Sequence, residues 1–143
     1  KEMNLKDQVL SIEQVQELTE LGFDVKKYAS VTVIKTNSDE CYIMPLNYLE
    51  QYDAFEYDVV DEKYYSLTIV DIIKVLPKMI GVYSIEFDFI GNQVYIDYIY
   101  RRESLPKLDH IFDMDNKESV TLNLTNALFE TLKWCIKNKH ITI

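Results

Sequence analysis

The sequence predicts an α+β domain of two layers, with three helices on one face of a roughly four-stranded antiparallel sheet. Residues 82–100 contain two runs rich in Ile, Val, Tyr and Phe on either side of Gly91-Asn92, a pair typical of a tight hairpin turn. A second predicted hairpin and three segments with helical apolar spacing give the order α-β-β-α-β-β-α. We expect residues 1–10 to be flexible and residues 11–143 to form a single domain.

The first helix is predicted at residues 12–21. Ser11 and Gln14 match a capping box, in which each side chain accepts a hydrogen bond from the main chain of the other. Gly22 is suited to the position just after a helix, where the chain turns back through a positive φ. The apolar stripe consists of Ile12, Val15, Leu18 and Leu21.

Residues 31–36 and 41–45 read as the two strands of the first hairpin, because turn-forming residues separate them. The connection at 46–65 interleaves aromatic and acidic residues, a composition that is typical of a functional loop or of a small satellite core. The aromatic residues that we single out as candidate binding residues in this connection are Tyr52, Phe55 and Tyr57.

Two further helices are predicted. Thr68 caps the second helix, Asp71 complements its positive end, and the helix is expected to end or kink at Pro77. Its buried stripe is expected to be Ile69, Ile72, Ile73 and Leu76. The last helix, near 122–138, follows a second long connection at 101–118. Its apolar face is expected to be Leu124, Ala127, Leu128, Leu132, Cys135 and Ile136.

The hairpin at 82–100 has one apolar and one acidic face if Gly91-Asn92 forms the turn. The face expected in the core carries Ile85, Phe87, Phe89, Val94, Ile96 and Tyr98. The outer face carries the candidate binding residues Glu86, Asp88, Tyr95 and Asp97. This outer face is either a solvated surface or a site for a hard cation or a basic partner.

The charge balance narrows the classes of partner. With 24 acidic and 15 basic residues, the chain has a formal charge of −9, which opposes binding to nucleic acid or to anionic membranes. Its 11 tyrosines suit partly exposed faces and interfaces. The two cysteines match no metal or redox spacing, and no apolar run approaches a membrane span. We therefore expect a cytoplasmic protein with two free thiols, and the alternative is one disulfide between Cys41 and Cys135.

Motifs for cofactor chemistry are absent from the sequence. Three scattered glycines provide no phosphate loop and no dinucleotide fingerprint, so no cofactor is predicted. The two histidines are isolated from each other and from the cysteines. A metal-binding domain or metal-dependent enzyme remains the alternative function. Its ligands would come from Glu86, Asp88 and Asp97, or from Asp109, His110, Asp113 and Asp115.

Three segments together resemble small proteins encoded by phages and integrated mobile elements of gut bacteria. They are LTELGFD (18–24), YSLTIVDIIKVLPKMI (65–80) and ALFETLKWCIKNKHI (127–141). That family has no assigned function, so no catalytic residues can be carried over from it, and the resemblance implies only a bacterial, intracellular setting on a mobile element. With the tyrosine excess and the acidic charge, it favours a non-enzymatic protein-interaction module whose partner is a host or phage protein. A subsidiary idea is a basic host protein, approached by the acidic surface in the manner of a nucleic-acid mimic.

Overall fold

The computed structural model of the chain describes residues 8–36, 41–46, 60–90, 93–101, 108–113 and 124–142. The elements in chain order are α1 (Ile12–Glu20), α2 (Val25–Tyr28), β1 (Val31–Thr36), β2 (Cys41–Pro45), β3 (Val60–Ser66), α3 (Ile69–Val75), β4 (Met79–Ile80), β5 (Tyr83–Ile90), β6 (Gln93–Arg101), β7 (Leu108–Asp113) and α4 (Leu124–Lys137). The α+β class predicted from the sequence is confirmed.

The chain divides into two compact units, Lys1–Asp71 and Ile72–Thr142, with the boundary inside α3. The first unit contains an antiparallel sheet of strand order β2-β1-β3, and the second contains an antiparallel sheet of strand order β4-β5-β6-β7. The prediction of one four-stranded sheet covered by three helices is therefore wrong. Strands β3, β4 and β7 and the short helix α2 arise from segments whose sequence patterns did not predict them.

Helix α1 forms as its capping residues predict. The Gln14 N–H donates to Ser11 Oγ at 3.2 Å, and the Ser11 N–H donates to Gln14 Oε1 at 3.0 Å. At the other end, Gly22 has a φ of 92°, and the Phe23 N–H donates to the Leu18 carbonyl at 3.0 Å. This is the hydrogen bond of a Schellman turn, and it directs Phe23 back onto the buried side of the helix.

The sheet of the first unit is centred on β1. Three successive residues of this strand, Thr32, Val33 and Ile34, are buried, so both of its faces are covered. Strand β3 begins within the connection predicted at 46–65 and extends to Ser66, and residues 47–59 are outside the described part of the chain. Its consecutive Asp-Glu-Lys residues leave no apolar alternation, which is why the sequence did not predict a strand there.

The N-terminal residues nearest α1 belong to the fold, in contrast to the predicted flexible N-terminus at 1–10. Val9 forms a bridge with Thr68, and the Leu10 N–H donates to the Leu67 carbonyl at 3.2 Å. The side chains of Val9 and Leu10 are buried. Burial of these two apolar residues beside α3 is the physical reason for the difference, and residues 1–7 lie outside the described part.

Helix α3 begins as predicted. The Asp71 N–H donates to Thr68 Oγ1 at 3.1 Å, and the Thr68 N–H donates to Asp71 Oδ2 at 3.0 Å. The helix ends at Val75, two residues before Pro77, which cannot donate a main-chain hydrogen bond.

The predicted register of the second hairpin is confirmed. Ile85 pairs with Tyr98, and Phe87 pairs with Ile96. Strand β6 is central, with β5 on one side and β7 on the other, and β7 lies within the connection predicted at 101–118. Helix α4 packs against β6, where the Trp134 ring stacks on Tyr98 with centroids 6.0 Å apart.

The two rows of the predicted core face differ in burial. On β6 the side chains of Val94, Ile96 and Tyr98 are buried, whereas on β5 Phe87 is 38% exposed and Phe89 is 60% exposed. The expectation that the β5 row is fully covered is therefore wrong. Helix α4 covers the central strand and leaves the strand nearer the edge open.

The acidic face also differs from expectation, because Asp97 is only 7% exposed. A residue on a central strand has neighbours from the strands on both sides, and β7 provides the second neighbour that the sequence did not predict. Glu86 is half-buried and Asp88 is exposed, as suits their position on β5.

Helix α4 carries the predicted apolar face. Its buried residues include Ala127, Leu128, Leu132, Cys135 and Ile136, and the burial of Phe129, Thr125 and Thr131 makes the covered face broader than predicted. The described helix begins at Leu124, whereas the predicted start at 122 lies outside the described residues. It ends in a second Schellman turn, in which Lys139 has a φ of 60°.

Candidate functional site

The sequence-predicted site residues of the hairpin lie together on one face of β5 and β6. Glu86 is paired with Asp97, and Asp88 is paired with Tyr95. Asp88 is exposed, Glu86 and Tyr95 are half-buried, and Asp97 is buried, so the carboxylate most accessible to a partner is that of Asp88. The predicted binding residues Tyr52, Phe55 and Tyr57 lie outside the described residues.

The ligands suggested for a metal are not assembled within the described part of the chain. Among those residues, no three His, Cys, Asp or Glu side chains are placed to hold a metal ion. The main chain of β7 places Asp113 opposite Asp97 and His110 opposite Ile99, while Asp115 lies outside the described residues. A melting temperature that rises with added Mg²⁺ or Ca²⁺ would nevertheless indicate a cation site.

A groove in the second unit was not predicted from the sequence. It has a volume of about 240 Å³ and lies between the end of α3 and strand β5. We call it the α3–β5 groove, and its lining residues are Ile73, Leu76, Lys78, Ile85 and Phe87. Ile73 is 37% exposed, and Phe89 extends the apolar surface beyond Phe87 along the same face of β5.

The apolar character of this groove could not be distinguished from core in the sequence. Ile73 and Leu76 belong to the helical stripe predicted to be buried, and Ile85 and Phe87 belong to the predicted core face of the hairpin. An apolar side chain in a periodic pattern fits either a covered or an open face. The one available signal was length, because α3 has 7 residues and β5 has 8, so the helix is too short to cover the strand.

The groove runs along an open edge of the sheet. Strand β4 contains only Met79 and Ile80, which pair with the first two residues of β5. The Ile85 N–H then donates to the Lys78 carbonyl at 3.1 Å. Beyond Ile85, no strand in the described ranges pairs with the outer edge of β5.

A second groove lies in the first unit and is more polar. Its volume is about 360 Å³, and Lys26, Tyr64 and Tyr65 are among its lining residues. Lys26 Nζ lies 5.2 Å from the centre of the Tyr65 ring, and the Tyr64 hydroxyl donates to the Leu10 carbonyl at 3.3 Å. Burial raises the pKa of Tyr64 to about 12, so this phenol is protonated at neutral pH and acts as a structural donor.

A buried pair in the second unit is also structural. The Tyr98 hydroxyl donates to the Pro77 carbonyl at 2.8 Å, and the Cys135 thiol donates to the Tyr98 oxygen at 3.7 Å. Burial raises the pKa of the Cys135 thiol to about 11 and raises the pKa of Tyr98 as well. A thiol held protonated in the core is a poor nucleophile.

No protein-family model, curated protein or solved structure matches this chain. None of the helices in the described part is both long and apolar enough to cross a membrane. The inference of function therefore depends on the geometry of the two units, and the feature that most resembles a binding site is the α3–β5 groove with its adjoining strand edge.

Proposed function

We propose that the protein is a non-enzymatic protein-interaction module of a phage or mobile element, and that it binds its partner through the α3–β5 groove. The observation that carries the proposal is the exposure of Phe87 and Phe89 beside this groove, at 38% and 60%. Exposed apolar side chains that adjoin a concave apolar surface are typical of protein-binding sites.

Covering this surface contributes to the free energy of binding. Burial of one large apolar side chain stabilises a complex by about 1.5–3 kcal/mol relative to its exposed state. Phe87, Ile73 and Phe89 are 38%, 37% and 60% exposed, so each offers only part of this gain, from which the cost of association must be subtracted.

The bacterial and cytoplasmic setting is part of the same proposal. It is supported by the resemblance of residues 18–24, 65–80 and 127–141 to proteins of phages and mobile elements. The formal charge of −9 favours a basic protein as the partner, because opposite charges steer association.

A comparative pull-down from a bacterial host lysate tests the proposal. The variants Phe87→Ser and Phe89→Ser remove apolar surface beside the groove, and Val70→Ser removes a side chain of similar exposure, 57%, that does not line it. We expect both phenylalanine variants to lose a protein that the wild-type chain and Val70→Ser retain. Equal recovery by all four chains would contradict the proposed function.

A further inference from the structure

We propose that the outer edge of β5, at residues 86–90, accepts an extended segment of the partner as an added strand, and that this segment alternates apolar and basic side chains. This inference rests on the protein-binding function proposed above and specifies how the partner binds. Three features of β5 carry it: the direction of its main-chain groups, the chemistry of its two faces and the sign of its charge.

The main chain of β5 provides hydrogen-bonding groups at this edge. In a strand, the N–H and C=O groups of alternate residues point to the same side. Because the Ile85 N–H points outward to the Lys78 carbonyl, the main-chain groups of Phe87 and Phe89 also point outward. An extended segment that continues the line of β4 can therefore pair with Phe87 and Phe89, as in known cases of strand addition.

The two faces of β5 beside this edge differ in chemistry. Phe87 and Phe89 lie on the face of the groove, whereas Glu86 and Asp88 lie on the opposite face. Side chains of an added strand alternate in the same way, so one set contacts the phenylalanines and the other set contacts the carboxylates. A segment that alternates apolar and basic residues is complementary to both faces.

The same charges disfavour a second copy of this chain as the occupant. Pairing of two β5 edges would place Glu86 and Asp88 of one copy beside the same residues of the other. Like charges opposite each other on neighbouring strands are destabilising, and each copy carries a formal charge of −9. Charged side chains commonly prevent self-pairing of edge strands. Because the charges on this edge are negative, a strand with basic side chains is the complementary partner.

A short peptide of alternating valine and lysine, labelled with fluorescein, tests this mode of binding to the full chain by fluorescence anisotropy. The control peptide has the same composition with the valines and lysines in separate blocks, so its charge is unchanged and its alternation is lost. We expect the alternating peptide to bind about tenfold more tightly or better, since only it can pair along the edge and match both faces. Methylation of its edge-facing amide nitrogens should weaken binding by about tenfold.

A charge reversal tests whether the basic side chains of the added strand contact the acidic face of β5. Asp88→Lys should weaken binding of the valine–lysine peptide by about tenfold and should allow binding of a valine–glutamate peptide. The matched control is Glu20→Lys, which makes the same change in net charge at an exposed position of α1 in the first unit. That variant should bind both peptides as the wild-type chain does.

Three results would overturn strand addition: equal affinity for the alternating and block peptides, no effect of N-methylation, or equal effects of Asp88→Lys and Glu20→Lys. A wild-type dimer that dissociates in Phe89→Ser would also overturn it, because the occupant would then be a second copy. If the peptides fail while Phe87→Ser still loses a lysate protein, the binding function stands and only this mode of binding is wrong. If Phe87→Ser retains every lysate protein, the proposed function itself fails.

Discussion

Asp71 and Ser30, which are 41 positions apart in the chain, are joined by two hydrogen bonds to a single oxygen atom. Asp71 Oδ2 accepts from the Ser30 N–H at 3.1 Å and from the Ser30 hydroxyl at 2.6 Å. The same oxygen accepts from the Thr68 N–H at 3.0 Å. The residue that returns the capping hydrogen bond to Thr68 therefore also fixes the chain just before β1, so one carboxylate connects a helix terminus to the entry of the first sheet.

We expect Asp71→Ala to destabilise the first unit by about 2–4 kcal/mol, because three donors lose their carboxylate acceptor in a buried position. Ser30→Ala removes only the hydroxyl donor and should cost about 1–2 kcal/mol. Urea denaturation followed by circular dichroism measures both. The double variant should lose less stability than the two single losses added together, because both substitutions remove the same hydrogen bond. A loss equal to that sum would contradict a direct interaction.

The hydroxyl of Tyr98 gives a second prediction. Tyr98→Phe leaves the ring stacked near Trp134 but deprives the Pro77 carbonyl and the Cys135 thiol of their partner. We expect a loss of about 1–2 kcal/mol in the free energy of unfolding. Tyr83→Phe is a suitable control because it keeps the edge-on contact of that ring with Tyr100. Equal effects of the two substitutions would show that the Tyr98 hydrogen bonds contribute little.

The buried thiol predicts a loss of stability at alkaline pH. The pKa of Cys135 is raised from 9.0 to about 11 by burial, so the unfolded chain releases this proton at a lower pH than the folded chain does. The folded state therefore holds more protons between these values, and its stability falls as pH rises through that window. Cys135→Ala should lose stability less steeply over this range in a urea denaturation series, even though its stability at neutral pH is lower. An unchanged slope would contradict the shift.

Lys139 predicts a stabilising substitution. It has a φ of 60° after α4, where the Lys139 N–H donates to the Ile136 carbonyl at 3.1 Å and the His140 N–H donates to the Cys135 carbonyl at 2.8 Å. Glycine adopts this conformation without steric cost, so Lys139→Gly should raise the free energy of unfolding by about 0.5–1 kcal/mol. Lys137→Gly, at the last residue of the helix, should instead lower it, because glycine disfavours the helical conformation, which makes the pair a matched test.

Local chemistry allowed much of this fold to be predicted. The caps at Ser11 and Thr68 and the turn at Gly22 depend on neighbouring residues in the chain, so their sequence patterns are sufficient. The hairpin register at 82–100 was equally accessible, because a shift of one residue would exchange the apolar and acidic faces. Strand β3 was missed because its Asp-Glu-Lys run carries no apolar alternation, although Glu62 and Lys63 pair with β1 through the main chain.

The candidate site could not be predicted, because it exists only where no helix of the described residues covers the apolar face of β5. Ile85 and Phe87 match a core pattern as well as Ile96 does, and only the placement of α4 over β6 separates them. The sequence likewise gave no sign that a central position would bury Asp97. Long-range packing decides both results, and a periodic pattern records only which residues share a face.

The unequal cover of this sheet predicts unequal costs of truncation for residues that lie on the same face of neighbouring strands. Ile96 is fully buried beneath α4, so Ile96→Ala should cost about 2–5 kcal/mol through lost contacts and a residual cavity. Phe89 on the neighbouring strand is 60% exposed, so Phe89→Ala should cost less than about 1 kcal/mol. Chemical denaturation of the two variants against the wild-type chain measures the difference. A loss for Phe89→Ala as large as that for Ile96→Ala would mean that Phe89 supports the fold and does not form an open surface for a partner.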